Sequence, residues 1–249
     1  MLTFSRNRLA VRFPTGKSPK VHLPCKSISA NYIAKTKMST KAGESPYKAK
    51  LISVEDLRQG KWIQTKKINY TDPRGQDRVW EMAVRTTRTD TTNIDAVSIA
   101  AILNHPDKDR EIVLTKQFRP PVGNVVIELP AGLIDPKESV ESTAIRELIE
   151  ETGYHGSFKW STDAFVDLVN DPGLTNANMS LAFVDVDLTD PKNISPKAQL
   201  EDGEFIDTFT VSLKNLLSEL NRICKEEGCT VDARLYHFAA GLTYGKDLF

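Results

Sequence analysis

The chain has 249 residues, enough for one large domain or one domain with a small attachment. Its 33 basic and 33 acidic residues cancel, which removes a broad basic field for nucleic acid, and no apolar run approaches the ~18 residues of a membrane span. Three cysteines, Cys25, Cys224 and Cys229, make no disulfide framework, and with four histidines in the chain they make no zinc cage.

The zero net charge conceals a split. Residues 1–43 carry nine Lys or Arg and no acid, leaving 24 basic against 33 acidic residues from Glu44 onward, a formal charge of −9. The opening MLTFSRNRLAVRF sets Arg among Leu, Val and Phe, the composition of a mitochondrial transit peptide, with a disordered basic tail as the alternative. A chain started at Met38 would lose nearly all of this leader and give a cytoplasmic form. Residues 44–56 read as a polar linker.

From Gly60 the pattern becomes extended. Trp62 to Tyr70 and Val79 to Thr86 alternate around the turn signal Asp72-Pro73-Arg74-Gly75, predicting a hairpin within an N-terminal β region, 57–92. A lone hairpin is marginal in water, so it must pack on the following domain or on a second copy of the chain. The following domain, 93–249, opens with strands at 95–103, 111–118 and 125–129. Val140, Ala144, Ile145, Leu148 and Ile149 then recur at helical spacing between Pro136 and Thr152, with Asp135 as cap, Glu138 at the third position and Gly153 as stop. Strands follow at 164–169, 179–186 and 204–211, then helices at 213–227 and 231–242. The mixture predicts a layered α/β (α+β) fold with an extra N-terminal antiparallel hairpin.

The chemistry concentrates in GLIDPKESVESTAIRELIEETGY, Gly132 to Tyr154. Glu147, Glu150 and Glu151 share one helix face near the C-terminal end, where the helix dipole disfavours anions. A solvated acidic face is the common alternative. Gly132 and Gly153 bracket the segment, and Pro130-Ala131-Gly132 would bring bare backbone to that face, which suits a hard divalent cation better than solubility alone. Arg146 is placed to pair with Glu138.

This segment resembles the Nudix box, the signature of hydrolases that split nucleoside diphosphates linked to another moiety. Gly132, Glu138, Arg146, Glu147, Glu150, Glu151 and Gly153 occupy its invariant positions, and Leu148 and Tyr154 its apolar ones. The resemblance implies the Nudix fold, a mixed β-sheet sandwiched between helices. It also implies Mg²⁺, with Mn²⁺ as an alternative, as two or three ions on Glu147, Glu150, Glu151 and the carbonyl of Ala131. TKQFRPPVGNVVIELPAGLID, VNDPGLTNANM, DGEF and GKWIQTKKINYTDPRGQDRVWE followed by VRTTR are similar to the eukaryotic ADP-ribose and ADP-sugar pyrophosphatases, from about Leu57 to Ala240. That similarity implies a homodimer with shared active sites and hydrolysis of ADP-ribose to AMP and ribose 5-phosphate.

By the same resemblance Trp62 and Trp80 sandwich the adenine, one from each subunit. Arg85 and Arg119 lie near the diphosphate or terminal ribose, Glu128 adds an oxygen near the metals, and Leu133 joins the substrate-binding set. Glu204 matches the general base, with Glu201 and Asp202 close enough to be confused with it, and Glu151 and Arg146 complete the catalytic set. Each Trp has an ordinary packing alternative and each Arg a surface ion-pair alternative. The rival functions are broader ADP-sugar or oxidised nucleoside-diphosphate hydrolysis and a non-catalytic ADP-ribose sensor. An RNA-decapping role is weakened by the −9 body.

Overall fold

The computed structural model describes residues 50–88 and 93–247. The basic leader, Cys25, Met38 and the first residues of the expected linker lie outside them. From Lys50 the expected linker is strand: β1 (Lys50–Gln59) pairs antiparallel with β2 (Ile63–Thr71), which pairs with β3 (Asp77–Arg85). The hairpin is therefore a three-stranded sheet. The reason lies in cross-strand partners: Glu55 of β1 meets Lys67 and Asn69 of β2, and Asp56 meets Lys66, so polar residues that read as linker form the rungs.

The second sheet has nine strands. Its continuous path is β12 (Thr230–Val231), β6 (Asn124–Glu128), β5 (Glu111–Arg119), β4 (Ala96–Asn104), β10 (Asn178–Asp187) and β8 (Ser157–Ser161). β7 (Ala131–Leu133) joins β4, β9 (Leu168–Val169) joins β10, and β11 (Ile206–Ser212) joins β5. β10 runs parallel to β4 and β12 parallel to β6, and the remaining pairs are antiparallel. The sheet is thus mixed.

Alternation along β4 builds two cores. Val97, Ile99, Ala101 and Leu103 face α1 (Val140–Thr152), where they bury Ala144 and Leu148. Ala100 and Ile102 face the other way, with Ile112, Leu114 and Ile127, onto α2 (Leu216–Glu227) and α3 (Ala233–Tyr244). Helices on both faces of a mixed sheet match the expected layers. β4 then divides its free edge. Its first residues pair with β7, whereas only Ile102 and Leu103 pair with β5. The division holds Ala131–Leu133 against α1, which is where the site forms.

Several boundaries differ from those read in the sequence. The helix begins at Val140, not Pro136, because Lys137 takes a left-handed φ of 77° and Ser139 is the cap. Ser139 and Ser142 satisfy each other's backbone N–H groups, so Asp135 is not needed as a cap and Glu138 is free for another partner. The expected strand at 164–169 shrinks to Leu168–Val169, and Phe165 is exposed. β8 was not expected, although Phe158 and Trp160 alternate with polar residues there. Among the described residues no helix is long and apolar enough to cross a membrane.

Candidate active site

Helix α1 places Arg146, Glu147, Glu150 and Glu151 along one wall of a cleft of about 320 Å³. Ala131, Gly132 and Leu133 of β7 form the facing backbone, and Arg119 and Gln117 of β5 close one side. Glu201 and Glu204, on the loop before β11, complete the lining. Asp202 is not among the residues that line it.

Arg146 organises the acidic wall. Its Nε and Nη2 donate to the two oxygens of Glu138, at 2.9 and 2.8 Å, as a two-pronged fork. Its Nη1 donates to Glu147 at 2.8 Å and Glu150 at 2.9 Å, and Nη2 reaches the Leu133 carbonyl at 3.3 Å. Through these bonds one guanidinium ties the helix to the loop before it. The fork holds the Glu138 carboxyl down at about 2, despite partial burial.

Glu151 is in the opposite condition. It is buried, and its Oε2 accepts one hydrogen bond, from the Ala131 N–H at 3.1 Å. Burial pushes its pKa up to about 8, and the charges of Glu147 and Glu204 add to that rise. Burial raises Glu147 as well. Glu151 has no cationic hydrogen-bond partner among the described residues, and Glu147 shares the single guanidinium of Arg146 with Glu138 and Glu150, so the wall is short of positive charge. A divalent cation would supply it, and oxygen donors are the set that a hard cation takes.

Among the described residues, the side chains as they stand draw no three His, Cys, Asp or Glu into a cluster able to hold an ion. The cause is visible: Arg146 draws Glu147 and Glu150 to itself, while Glu151 turns to Ala131. The donors nevertheless fit a divalent ion. Three carboxylates line one cleft beside the bare backbone of Gly132.

A second cavity, about 680 Å³, shares Arg119, Ala131, Gly132 and Leu133 with the first. Arg85 and Glu128 line it. Glu128 is committed to Arg119, whose Nε donates to it at 2.6 Å. Arg85 has no hydrogen-bonded or ion-paired side-chain partner among the described residues. Sequence reasoning missed Gln117 and Asp135 in the cleft, and Asn170 and Arg234 in the cavity. Arg234 follows Asp232, the N-cap of α3, and a capping Asp with an Arg two residues on is a readable signal.

A NUDIX domain model matches residues 93–228. The chain belongs to the Nudix family. It is 42% identical over 224 residues to the ADP-ribose pyrophosphatase of Saccharomyces cerevisiae, covering 88% of this chain and 94% of that protein. It is 37% identical over 211 residues to the ADP-sugar pyrophosphatase of Mus musculus, covering 85% and 94%. An uncharacterized Nudix hydrolase of Schizosaccharomyces pombe is 46% identical over 200 residues, covering 80% and 95%. The crystal structure of an ADP compounds hydrolase superposes with a TM-score of 0.53 at 17% identity, covering 81% of this chain and 97% of that one, a likeness of fold alone.

In this Nudix chain the loop carrying Glu204 is strapped to the end of α1. The Gln199 N–H donates to the Glu150 carbonyl at 2.7 Å, and Thr208 Oγ1 to that of Glu151 at 3.1 Å. Gly153, at φ 74°, permits the approach: a Cβ there would lie 2.2 Å from the Lys197 backbone nitrogen. The Glu204 carboxylate itself accepts the Glu201 N–H at 3.0 Å.

Trp62 and Trp80 line neither cavity. Both are more than half exposed, at 61% and 51%. Trp62 stands opposite Thr86, whereas Trp80 pairs with Ile68, six residues back along β3. That spacing is roughly 20 Å along a strand. Within one chain the two rings do not converge.

Proposed function

We propose that the protein hydrolyses the diphosphate of ADP-ribose, releasing AMP and ribose 5-phosphate. The observation that carries this reading is the shared wall between an acidic cleft and an arginine-lined cavity. A diphosphate lying across Gly132 would have carboxylates on one side and Arg85 and Arg119 on the other. The yeast and mouse relatives support an ADP-linked sugar as the remainder of the substrate.

Glu147, Glu150, Glu151 and the Ala131 carbonyl would hold the divalent ions, Mg²⁺ first and Mn²⁺ second, two or three in number. Bound there, such ions neutralise diphosphate charge and acidify water. The protein's own residues do the rest. Arg119 and Arg85 orient the phosphates, and the Arg119–Glu128 pair fixes the angle of the fork. Glu204, steadied by the Glu201 backbone, takes the proton of the attacking water. The water oxygen bonds one phosphorus as its bond to the bridging oxygen breaks. The other phosphate leaves with that oxygen. Arg146 keeps the acidic wall in register through Glu138, and Leu133 packs against the bound nucleotide.

The active unit in this reading is a homodimer. Supporting it are the separation of Trp62 from Trp80 and the exposure of Leu51, Ile52, Leu57 and Val79 on the N-terminal sheet. A second subunit would bring its Trp80 to face Trp62 across one adenine.

Product analysis with ADP-ribose, ADP-glucose and 8-oxo-guanosine diphosphate, each with and without Mg²⁺, tests the proposal. The expected outcome is Mg²⁺-dependent AMP release with the highest kcat/KM for ADP-ribose. Equal turnover of ADP-glucose would support the broader ADP-sugar reading, which the mouse relative's name favours. Binding without product would leave a sensor.

A further inference from the structure

The segment Asn170–Ala177, between β9 and β10, ties the N-terminal sheet to the Nudix core. At its stem the Asn170 N–H donates to the Ala177 carbonyl at 3.0 Å, and Arg234 Nη1 donates to Asn170 Oδ1 at 3.1 Å. Both Asn170 and Arg234 line the larger cavity, so the stem is part of that cavity's wall. At its tip the loop meets β3. The Ala83 N–H donates to the Leu174 carbonyl at 2.9 Å, and Ala83 and Thr175 form a parallel bridge. The indole Nε1 of Trp80 donates to the Gly173 carbonyl at 3.0 Å.

Asp171 shapes that tip. Its Oδ1 accepts the Gly173 N–H at 3.3 Å, and its carbonyl accepts the N–H groups of Leu174 and Thr175 at 3.1 and 2.9 Å. Only the first of these bonds belongs to the side chain, the other two being main-chain bonds that any residue at 171 would make; together the three fold the chain back, and the Gly173 carbonyl accepts from Trp80 outside the turn. A half-exposed indole with a free N–H would rotate about its side-chain bonds. Fixing the N–H fixes the plane of the ring and leaves its face open.

We propose that Asp171 is a positioning residue for Trp80: through the Gly173 carbonyl it sets the plane on which the adenine stacks. The inference rests on the reading of Trp80 as a base-stacking residue. It predicts that the Trp80 N–H takes no part in reading the base edge, because that donor is already used. It also predicts that loosening the turn weakens substrate binding without touching the chemistry, since no contact here reaches Glu147, Glu151 or Glu204.

The test is steady-state kinetics of the full chain with ADP-ribose in saturating Mg²⁺, on Asp171→Ala, Asp171→Asn, Trp80→Phe, Trp80→Ala and the double variant Asp171→Ala/Trp80→Phe. One hydrogen bond's worth of ordering corresponds to about a threefold to tenfold change in binding. Asp171→Ala should raise KM by that factor with kcat within twofold. Asp171→Asn keeps an oxygen at the acceptor position and should restore the wild-type KM. Trp80→Phe has no indole N–H, so adding Asp171→Ala to it should change KM no further. If Asp171→Ala lowers kcat as much as it raises KM, or if its effect persists undiminished on the Trp80→Phe background, the positioning role is overturned while base stacking stands. If Trp80→Ala leaves KM unchanged, base stacking itself fails, and the role of Asp171 falls with it.

Discussion

A Cβ added to Gly132 would lie 1.8 Å from Oε1 of Glu147. The glycine is therefore the space that the carboxylate occupies, and β7 and α1 touch through it. Gly132→Ala must push Glu147 out of the cleft or move the strand. The strand is paired to β4 through Val97, so the side chain is the part that yields. On the proposed role of Glu147 as a metal ligand, displacing it should weaken ion affinity and activity by at least the ~10–100-fold that loss of a ligand's supporting partner costs. Raising Mg²⁺ should recover part of the rate. Wild-type activity at limiting Mg²⁺ would show that Glu147 needs no such space.

The Arg146 fork leads to a second expectation. Lysine keeps the charge but cannot bind both Glu138 oxygens while reaching Glu147 and Glu150. Arg146→Lys should lower the melting temperature, because Glu138 loses its paired donors in a partly buried place. The loss of stability should be larger in EDTA than in saturating Mg²⁺, since only the metal-free wall depends on the guanidinium to offset Glu147 and Glu150. Melting curves in the two buffers decide this, and identical losses would count against it.

Much of this was legible from residue spacing. The i, i+3, i+4 carboxylates and the bracketing glycines locate the cleft because a helix face and a tight backbone approach follow from local geometry. The Glu138–Arg146 pair is readable for the same reason. What escaped the sequence is what tertiary partners decide. β1 looks polar because its rungs are charge pairs with β2, and the helix starts late because Ser139 and Ser142 cap each other. The contact of Trp80 with Gly173 spans 93 residues and has no periodic signature. The committed state of Glu128, held by Arg119, is likewise a property of two neighbouring strands.

Glu151 gives the pH dependence its direction. Folding raises this carboxyl from its ordinary 4.5 to about 8, so the folded chain binds that proton more tightly than the unfolded chain. Its contribution to stability is fully present below about 4.5 and is lost as pH rises through about 8. In EDTA, stability should fall across that window, with a slope from one group of at most about 1.4 kcal/mol per pH unit. Mg²⁺ favours the ionised form, so its stabilising effect should grow from pH 5 to pH 8. Glu151→Gln keeps an acceptor for the Ala131 N–H and removes its titration, leaving the contribution of Glu147, which burial raises in the same direction. Denaturant melts at several pH values, with and without Mg²⁺, measure all three. A pH-independent Mg²⁺ effect would mean that Glu151 is already ionised in the metal-free fold.

The distance between Trp62 and Trp80 permits a test of shared sites that does not depend on seeing the dimer. Trp62→Ala and Trp80→Ala should each raise KM for ADP-ribose by about fivefold or more, a stacked base being worth ~1–3 kcal/mol. If one ring comes from each subunit, a heterodimer of the two variants has one site with both rings removed and one with both intact. Co-refolding equal amounts makes half the dimers mixed, so about a quarter of all sites should regain the wild-type KM. Each variant refolded alone should regain none. If both rings serve one site from the same chain, every site in the mixture lacks a ring, and no fraction with wild-type KM can emerge. The register of the N-terminal sheet favours the first result: Trp62 lies opposite Thr86, and Trp80 stands six residues from that point, roughly 20 Å away, too far for one base to touch both rings of one chain.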